Sequence, residues 1–171
     1  MKKLLLVAIL SCSILTIKSQ TFSVTINQTI PDNNTTVAFD LIVSGLPTVI
    51  DTIFGLEYTC LNMTHTWDAD MDVKLKSPDG TTVTLFSSVG GSGDDFINTC
   101  LYGTGTPINT AGSPFSGSFQ SMGVLGNINN GQNPNGTWQL LCTDMGPADI
   151  GFLMNYSVTF GSSPAQPFIF A

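Results

Sequence analysis

Residues 65–86 read HTWDADMDVKLKSPDGTTVTLF and contain two alternating runs joined by a tight turn. Residues 73–76 (VKLK) and 83–85 (VTL) alternate apolar and polar side chains, which predicts half-buried strands. Between them, residues 77–80 (SPDG) place Pro and Gly where a tight turn needs them. The stretch therefore predicts a β-hairpin.

The rest of the chain continues this pattern of short apolar or alternating runs between turn residues. We predict seven strands: Phe22–Ile26, Thr36–Val43, Thr52–Thr64, Asp72–Leu75, Thr81–Phe86, Thr137–Cys142 and Met154–Phe160. No window of about 11 residues combines a helical period with a cap. Residues 89–136, which hold several Gly-, Pro- and Asn-rich turns, are predicted as mostly loop. The expected fold class is all-β, in the form of a β-sandwich.

The composition excludes several classes of function. All five basic residues are lysines, and only Lys74 and Lys76 follow residue 20, against twelve Asp and Glu. Two lysines cannot build a basic groove for nucleic acid or hold the chain on an anionic membrane. Charged residues make up 10% of the chain, well below the roughly 25% of an average soluble domain. The polar surface must therefore come from Ser, Thr and Asn.

The first 19 residues have the organisation of a secretory signal peptide. Two lysines precede the apolar run 4–10 (LLLVAIL), which is too short to span a membrane. We predict cleavage after Ser19 and export of the remainder. The alternative is lipidation at Cys12, because the sequence ILSC that ends there loosely resembles a bacterial lipobox. No other stretch is long and apolar enough to span a membrane.

Few residues are available for catalysis. His65 is the only histidine, and it ends a predicted strand beside a tryptophan. The sequence contains no GxSxG elbow and no CxxC pair, which argues against a serine hydrolase, a zinc ribbon and a thioredoxin-type motif. With Glu57 as the single glutamate, a glycosidase-type carboxylate pair would have to use aspartates alone. We therefore interpret His65 as structural.

Aspartates are concentrated in one run and one glycine-rich loop. Asp68, Asp70 and Asp72 alternate, and in an extended segment they would share one face about 7 Å apart. Like charges so placed repel each other unless a cation or a turn relieves them. The sixth position of the run lacks the glycine of an EF-hand loop. We therefore predict a Ca²⁺ site of another type, completed by Asp94 and Asp95, with a solvated acidic edge as the alternative.

Taken in series, these motifs resemble the P domain, or P/Homo B domain, of subtilisin-like proprotein convertases and related secreted bacterial proteins. The matching stretches are His65–Phe86, Gly90–Cys100, Ser113–Phe119, Asn130–Asp144 and Ile150–Phe160. They follow the family's order within residues 21–160, which we expect to form the domain after a signal peptide over residues 1–19. Residues 161–171 are expected to be a linker or the start of a further segment.

The resemblance implies a β-sandwich of the jelly-roll, galactose-binding-like type. It also implies an exported, non-catalytic module that stabilises or targets an adjacent domain, in this family a subtilisin-like serine endopeptidase. Serine-type endopeptidase activity and proteolysis would then belong to that neighbour. Because the predicted signal peptide directly precedes the domain, we expect such a neighbour beyond Ala171. The alternative function is an adhesion or ligand-binding module of a secreted multidomain protein.

The cysteines predict one disulfide and one free thiol. If Cys12 leaves with the signal peptide, Cys60, Cys100 and Cys142 remain, and three pairings are possible in an oxidising compartment. We predict Cys60–Cys100, since some bacterial members that the chain resembles carry cysteines at these two places. The glycine-rich loop before Cys100 is also expected to return beside the strand of Cys60. Cys142 is in phase with Trp138 and is interpreted as a buried thiol.

Overall fold

The computed structural model of the protein describes residues 18–167. The predicted signal peptide, apart from its last two residues, and Cys12 lie outside the described residues. Nine strands run through the described part: β1 Gln20–Ile30, β2 Val37–Val43, β3 Gly55–His65, β4 Met71–Lys76, β5 Thr82–Ser87, β6 Phe96–Pro107, β7 Phe115–Gln120, β8 Gly136–Asp144 and β9 Gly151–Gly161. Short 3-10 turns occur at Asp68–Asp70, Ile108–Thr110 and Leu125–Ile128. Over residues 18–167 no helix is long and apolar enough to cross a membrane.

The strands form two sheets that enclose one hydrophobic core. The five-stranded sheet has the order β1-β9-β3-β6-β7, and the four-stranded sheet has the order β2-β8-β4-β5. Neighbouring strands are antiparallel except for β6 and β7, which are parallel. The all-β sandwich predicted from the sequence is confirmed.

All seven predicted strands are present, with their ends shifted by a few residues. The interpretation of residues 89–136 as mostly loop was wrong for β6 and β7. In β6, Asn98 has a φ of +53° and lies between buried Phe96 and buried Thr99. An irregularity of this kind shifts the alternation of side chains, which is the signal that predicts a strand. In β7, Gly117 and its flanking serines carry little strand preference.

The predicted turn of the β4–β5 hairpin is confirmed and is braced by its aspartate. The Ser77 N–H donates to the Thr81 carbonyl at 2.9 Å, and the Ser77 hydroxyl donates to Asp79 Oδ1 at 2.7 Å. Burial alone would raise the pKa of Asp79, but hydrogen bonds from Ser77, Thr81 and Asn130 outweigh it and lower the pKa to about 2. This carboxylate is a structural part of the turn.

Aromatic side chains join the two sheets. The ring of Phe86 on β5 stacks on that of Phe96 with 4.4 Å between centroids, and Phe96 stacks on Phe115 at 4.9 Å. Trp138 meets Phe160 edge-on at 5.3 Å. Each fully buried ring of this kind stabilises the fold by about 1.5–3 kcal/mol. Because the rings come from both sheets, they hold the two sheets together.

The segment after β9 packs against the sandwich. The side-chain amide of Asn129 accepts the Leu56 N–H at 2.8 Å and donates to the Ala165 carbonyl at 2.7 Å. The Ala165 N–H donates to the Leu56 carbonyl at 2.8 Å, and Pro164 and Ala165 are buried. The described part of the predicted linker is therefore docked on the domain.

Candidate functional site

Connections between strands of both sheets meet at one end of the sandwich, where β3 leads into β4 and β8 leads into β9. The Met145 N–H donates to the Asp70 carbonyl at 2.8 Å, and the Thr66 hydroxyl donates to Asp149 Oδ1 at 2.8 Å. These bonds hold the two connections side by side. Seven aspartates lie at this end, which we call the acidic pole: Asp32, Asp68, Asp70, Asp94, Asp95, Asp144 and Asp149.

The glycine-rich loop before β6 lies directly against the β3–β4 connection. The Asp68 N–H donates to the Gly93 carbonyl at 2.9 Å. Gly90 has a φ of +83°, and a Cβ at this position would lie 2.6–2.9 Å from Ser113 Oγ, the Phe115 ring and Asp68 Cβ. Only glycine accommodates both this φ and this close approach. The loop therefore serves to hold Asp68 and its neighbours in place.

His65, the only histidine, is buried with both ring nitrogens engaged. The Trp67 N–H donates to Nδ1 at 3.0 Å. The ring proton consequently sits on Nε2, which donates to Asp144 Oδ2 at 3.0 Å. Both side chains are fully buried. Neither nitrogen is available to take a proton from a nucleophile, which a general base must do. The geometry agrees with the structural interpretation of this histidine.

Asp68 is a buried carboxylate beside this pair. The Ser113 hydroxyl donates to Oδ2, whereas Oδ1 has no partner among the described residues. Burial raises the pKa of Asp68 to about 6, against the smaller opposing effect of the hydrogen bond from Ser113. Asp68 therefore takes up a proton at a higher pH than an ordinary aspartate. Asp144 Oδ1 is likewise buried without a partner.

Asp70 lies at the surface of the pole among other carboxylates. Its carboxylate packs against Gly146, where any Cβ would collide with it. Burial raises the pKa of Asp70 first, and the nearby negative charge of Asp144 raises it further. Asp149 and Asp32 act in the same direction. The pole is therefore a region in which negative charges repel each other.

The expected acidic ladder on one extended face was wrong. Asp68–Asp70 forms a 3-10 turn in which the Asp70 N–H donates to the Trp67 carbonyl at 3.0 Å. Asp68 is fully buried, whereas Asp70 and Asp72 are partly exposed. A turn relieves the repulsion that an extended run of carboxylates would produce.

The other predicted calcium ligands have different surroundings. Asp72 pairs with Lys74 at 2.7 Å, and Asp95 Oδ1 accepts the His65 N–H at 3.1 Å. Asp94 is exposed. Within residues 18–167, no three His, Cys, Asp or Glu side chains are grouped so that they could hold a metal ion. The five residues do not fit one ligand set as placed, and the calcium site stays a prediction.

The predicted disulfide is confirmed. Cys60 on β3 and Cys100 on β6 are bonded and lie directly opposite each other in the five-stranded sheet. Cys142 is free and buried, and burial raises the pKa of its thiol. Its interpretation as a buried thiol is also confirmed.

Sequence reasoning missed the residues that complete the pole from distant strands. Asp144 reaches His65 across 79 residues of sequence, and Ser113 reaches Asp68 across 45. Asp149, which binds Thr66, is separated from it by 83 residues. The sequence did hold one indication of their role. Asp144 ends the family-like stretch Asn130–Asp144, and Asp149 immediately precedes the family-like stretch Ile150–Phe160.

The protein is a β-sandwich whose loops form an acidic surface at one end, and its histidine is held in place by hydrogen bonds at that end. The chain belongs to the proprotein convertase P-domain family, whose model matches residues 59–160. The resemblance drawn from the sequence motifs is thereby confirmed.

The individual proteins that the chain resembles are longer than this chain. The chain is 25% identical to leupeptin-inactivating enzyme 1 of Streptomyces exfoliatus over 100 residues, which is 58% of this chain and 17% of that protein. The crystal structure of the serine protease of Aeromonas sobria matches with a TM-score of 0.53 and 16% identity, over 86% of this chain and 28% of that one. The structure of the same protease with the chaperone ORF2 matches with a TM-score of 0.52 and 18% identity, over 85% and 27%. At these identities the structural matches show the fold, and the chain spans less than a third of each relative.

Proposed function

We propose that this chain is an exported, non-catalytic module that stabilises or targets an adjacent subtilisin-like serine protease domain. The family supports the association with proteases, and two relatives that share the fold are structures of a serine protease. The observation that carries the non-catalytic part is His65, whose two ring nitrogens are both occupied within the fold. Export is supported by the Cys60–Cys100 disulfide, since such bonds persist mainly outside the reducing cytoplasm.

The proposal is tested with a subtilisin-like protease encoded by the same genome. Adding the mature chain, residues 20–171, should raise the melting temperature of the protease and the yield of active enzyme after refolding. At a chain concentration 100 times the dissociation constant, mass action stabilises the protease by about 2.7 kcal/mol. Differential scanning calorimetry and a peptide-cleavage assay give the two readouts.

The control is an unrelated β-sandwich of similar mass and net charge, which should change neither readout. The chain alone should release no product from peptide substrates. If the chain leaves both the melting temperature and the active yield unchanged, the stabilising role is wrong. Binding to a carbohydrate or to a host-surface protein would then favour the adhesion alternative.

Calcium remains a separate proposal carried over from the sequence. A cation at the acidic pole would neutralise carboxylates such as Asp70 and should raise the melting temperature of the chain by mass action. Asp70→Asn/Asp72→Asn, which neutralises two of the predicted ligands, should abolish this gain. Asp40→Asn, at an exposed position on β2, is the control and should retain it. Equal melting temperatures in millimolar calcium and in EDTA would contradict a calcium site.

A further inference from the structure

Three large apolar side chains are exposed at the acidic pole. Trp67 is 44% exposed, Met145 is 42% exposed and Ile150 is 67% exposed. Trp67 and Met145 flank the turn at Asp70, since the Trp67 carbonyl accepts the Asp70 N–H and the Asp70 carbonyl accepts the Met145 N–H. Ile150 is held next to this turn, because its N–H donates to the Thr66 hydroxyl at 3.3 Å. The three side chains therefore project from two connections that are hydrogen-bonded to each other.

These apolar groups lie among aspartates that form no ion pair with a lysine in the described part of the chain. Seven of the twelve acidic residues lie at this end. None of the three lysines within residues 18–167 pairs with these seven aspartates: Lys18 precedes β1 at the opposite end, Lys74 pairs with Asp72 on β4, and Lys76 ends β4 beside the hairpin turn. The seven aspartates of the pole are therefore not neutralised by a lysine ion pair within the described part of the chain.

A buried carboxylate oxygen beneath this surface also lacks a partner. Asp144 is fully buried and its Oδ1 accepts no hydrogen bond from the described residues. Asp144 is close enough to Asp70 for their charges to repel each other. Although His65 pairs with the other oxygen, a buried acceptor atom without a partner is costly, and a cationic group placed at the pole would offset part of the negative charge.

We propose that the acidic pole is a docking surface for the neighbouring protease domain, and that the surface it meets presents Lys or Arg side chains among apolar groups. This identification of the partner rests on the proposed function. Exposed apolar side chains rimmed by polar groups are characteristic of protein interfaces, and tryptophan is enriched among the residues that contribute most to binding. Complementary charge orients such a contact and excludes wrong partners.

The matched variants compare two isoleucine–aspartate pairs that differ chiefly in location. Asp149 and Ile150 lie at the pole, and Ile150 is 67% exposed. Asp40 and Ile42 lie on β2, where Ile42 is 65% exposed and Asp40 accepts one side-chain hydrogen bond, as Asp149 does. Asp149→Asn/Ile150→Thr and Asp40→Asn/Ile42→Thr each remove one charge and one exposed isoleucine.

The experiment measures the dissociation constant between each variant and the subtilisin-like protease of the same genome by isothermal titration calorimetry. Asp149→Asn/Ile150→Thr should weaken binding at least tenfold, and Asp40→Asn/Ile42→Thr should change it less than twofold. Raising the salt concentration from 50 to 500 mM should weaken binding of the wild-type chain, because charges at a rim are screened. Circular dichroism and melting temperature verify that both variants are folded.

The outcomes separate this surface from the proposed function. If the wild-type chain binds and the two double variants bind equally well, the surface assignment is wrong while the function stands. If the wild-type chain binds in calcium but not in EDTA, a bound ion supplies the counter-charge and the predicted basic partner surface is wrong. If the wild-type chain does not bind the protease at all, the proposed function fails and the surface assignment fails with it.

Discussion

Replacing Cys60 and Cys100 together by serine should lower the free energy of unfolding by about 4 kcal/mol. The disulfide closes a loop of 40 residues, and in the chain-entropy model a loop of this length restricts the unfolded chain by that amount. The native fold should survive, because β3 and β6 are also joined by backbone hydrogen bonds on both sides of the bridge. Urea denaturation followed by tryptophan fluorescence measures the loss.

Two controls isolate the contribution of the bridge. The wild-type chain in excess dithiothreitol should unfold at the same urea concentration as the double variant, since both lack the same cross-link. Cys142→Ala removes the buried free thiol, leaves the bridge intact and should retain most of the stability that the double variant loses. A linked peptide containing Cys142, or a double variant as stable as the oxidised wild-type chain, would contradict this account.

The hairpin was predictable from the sequence because every local feature pointed to the same structure. Its two runs alternate, and residues 77–80 supply the turn chemistry, so local preference and burial agree. β6 was not predictable in this way, because Asn98 interrupts its alternation. That strand is specified by its neighbours on both sides, β3 and β7, and local patterning does not report such long-range pairing.

The candidate site was predictable in composition but not in arrangement. The sequence places Asp68, Asp70 and Asp72 together, and an extended segment would have aligned them. Packing of the glycine-rich loop against Asp68 selects a turn instead. The partner of His65 comes from β8, which is distant in sequence, so residue spacing holds no information about their contact. Only the order of family-like motifs indicated that these segments belong to one fold.

Asp144→Ala should destabilise the fold by about 3 kcal/mol, because it leaves a buried hydrogen-bond donor without an acceptor. The His65 Nε2–H has Asp144 Oδ2 as its partner at 3.0 Å, and both side chains are fully buried. Removing one member of a buried pair costs up to about 3–5 kcal/mol when the remaining group is charged, and about 1–3 kcal/mol when it is neutral. The figure of about 3 kcal/mol lies where the two ranges meet, because the lost acceptor is a carboxylate oxygen and both side chains are fully buried.

A double variant distinguishes an unpaired donor from a simple cavity. His65→Phe/Asp144→Leu removes both members of this hydrogen bond while filling similar volume, and it should recover part of the stability that Asp144→Ala loses. The recovery is incomplete, because the Trp67 N–H loses its acceptor on His65. Asp40→Ala, at an exposed position on β2, is the control and should cost less than about 0.5 kcal/mol. Urea denaturation of the wild-type chain and the three variants gives these differences in the free energy of unfolding. If the double variant is no more stable than Asp144→Ala, an unpaired donor on His65 is not the main cost of removing Asp144, and this account of the pair is wrong.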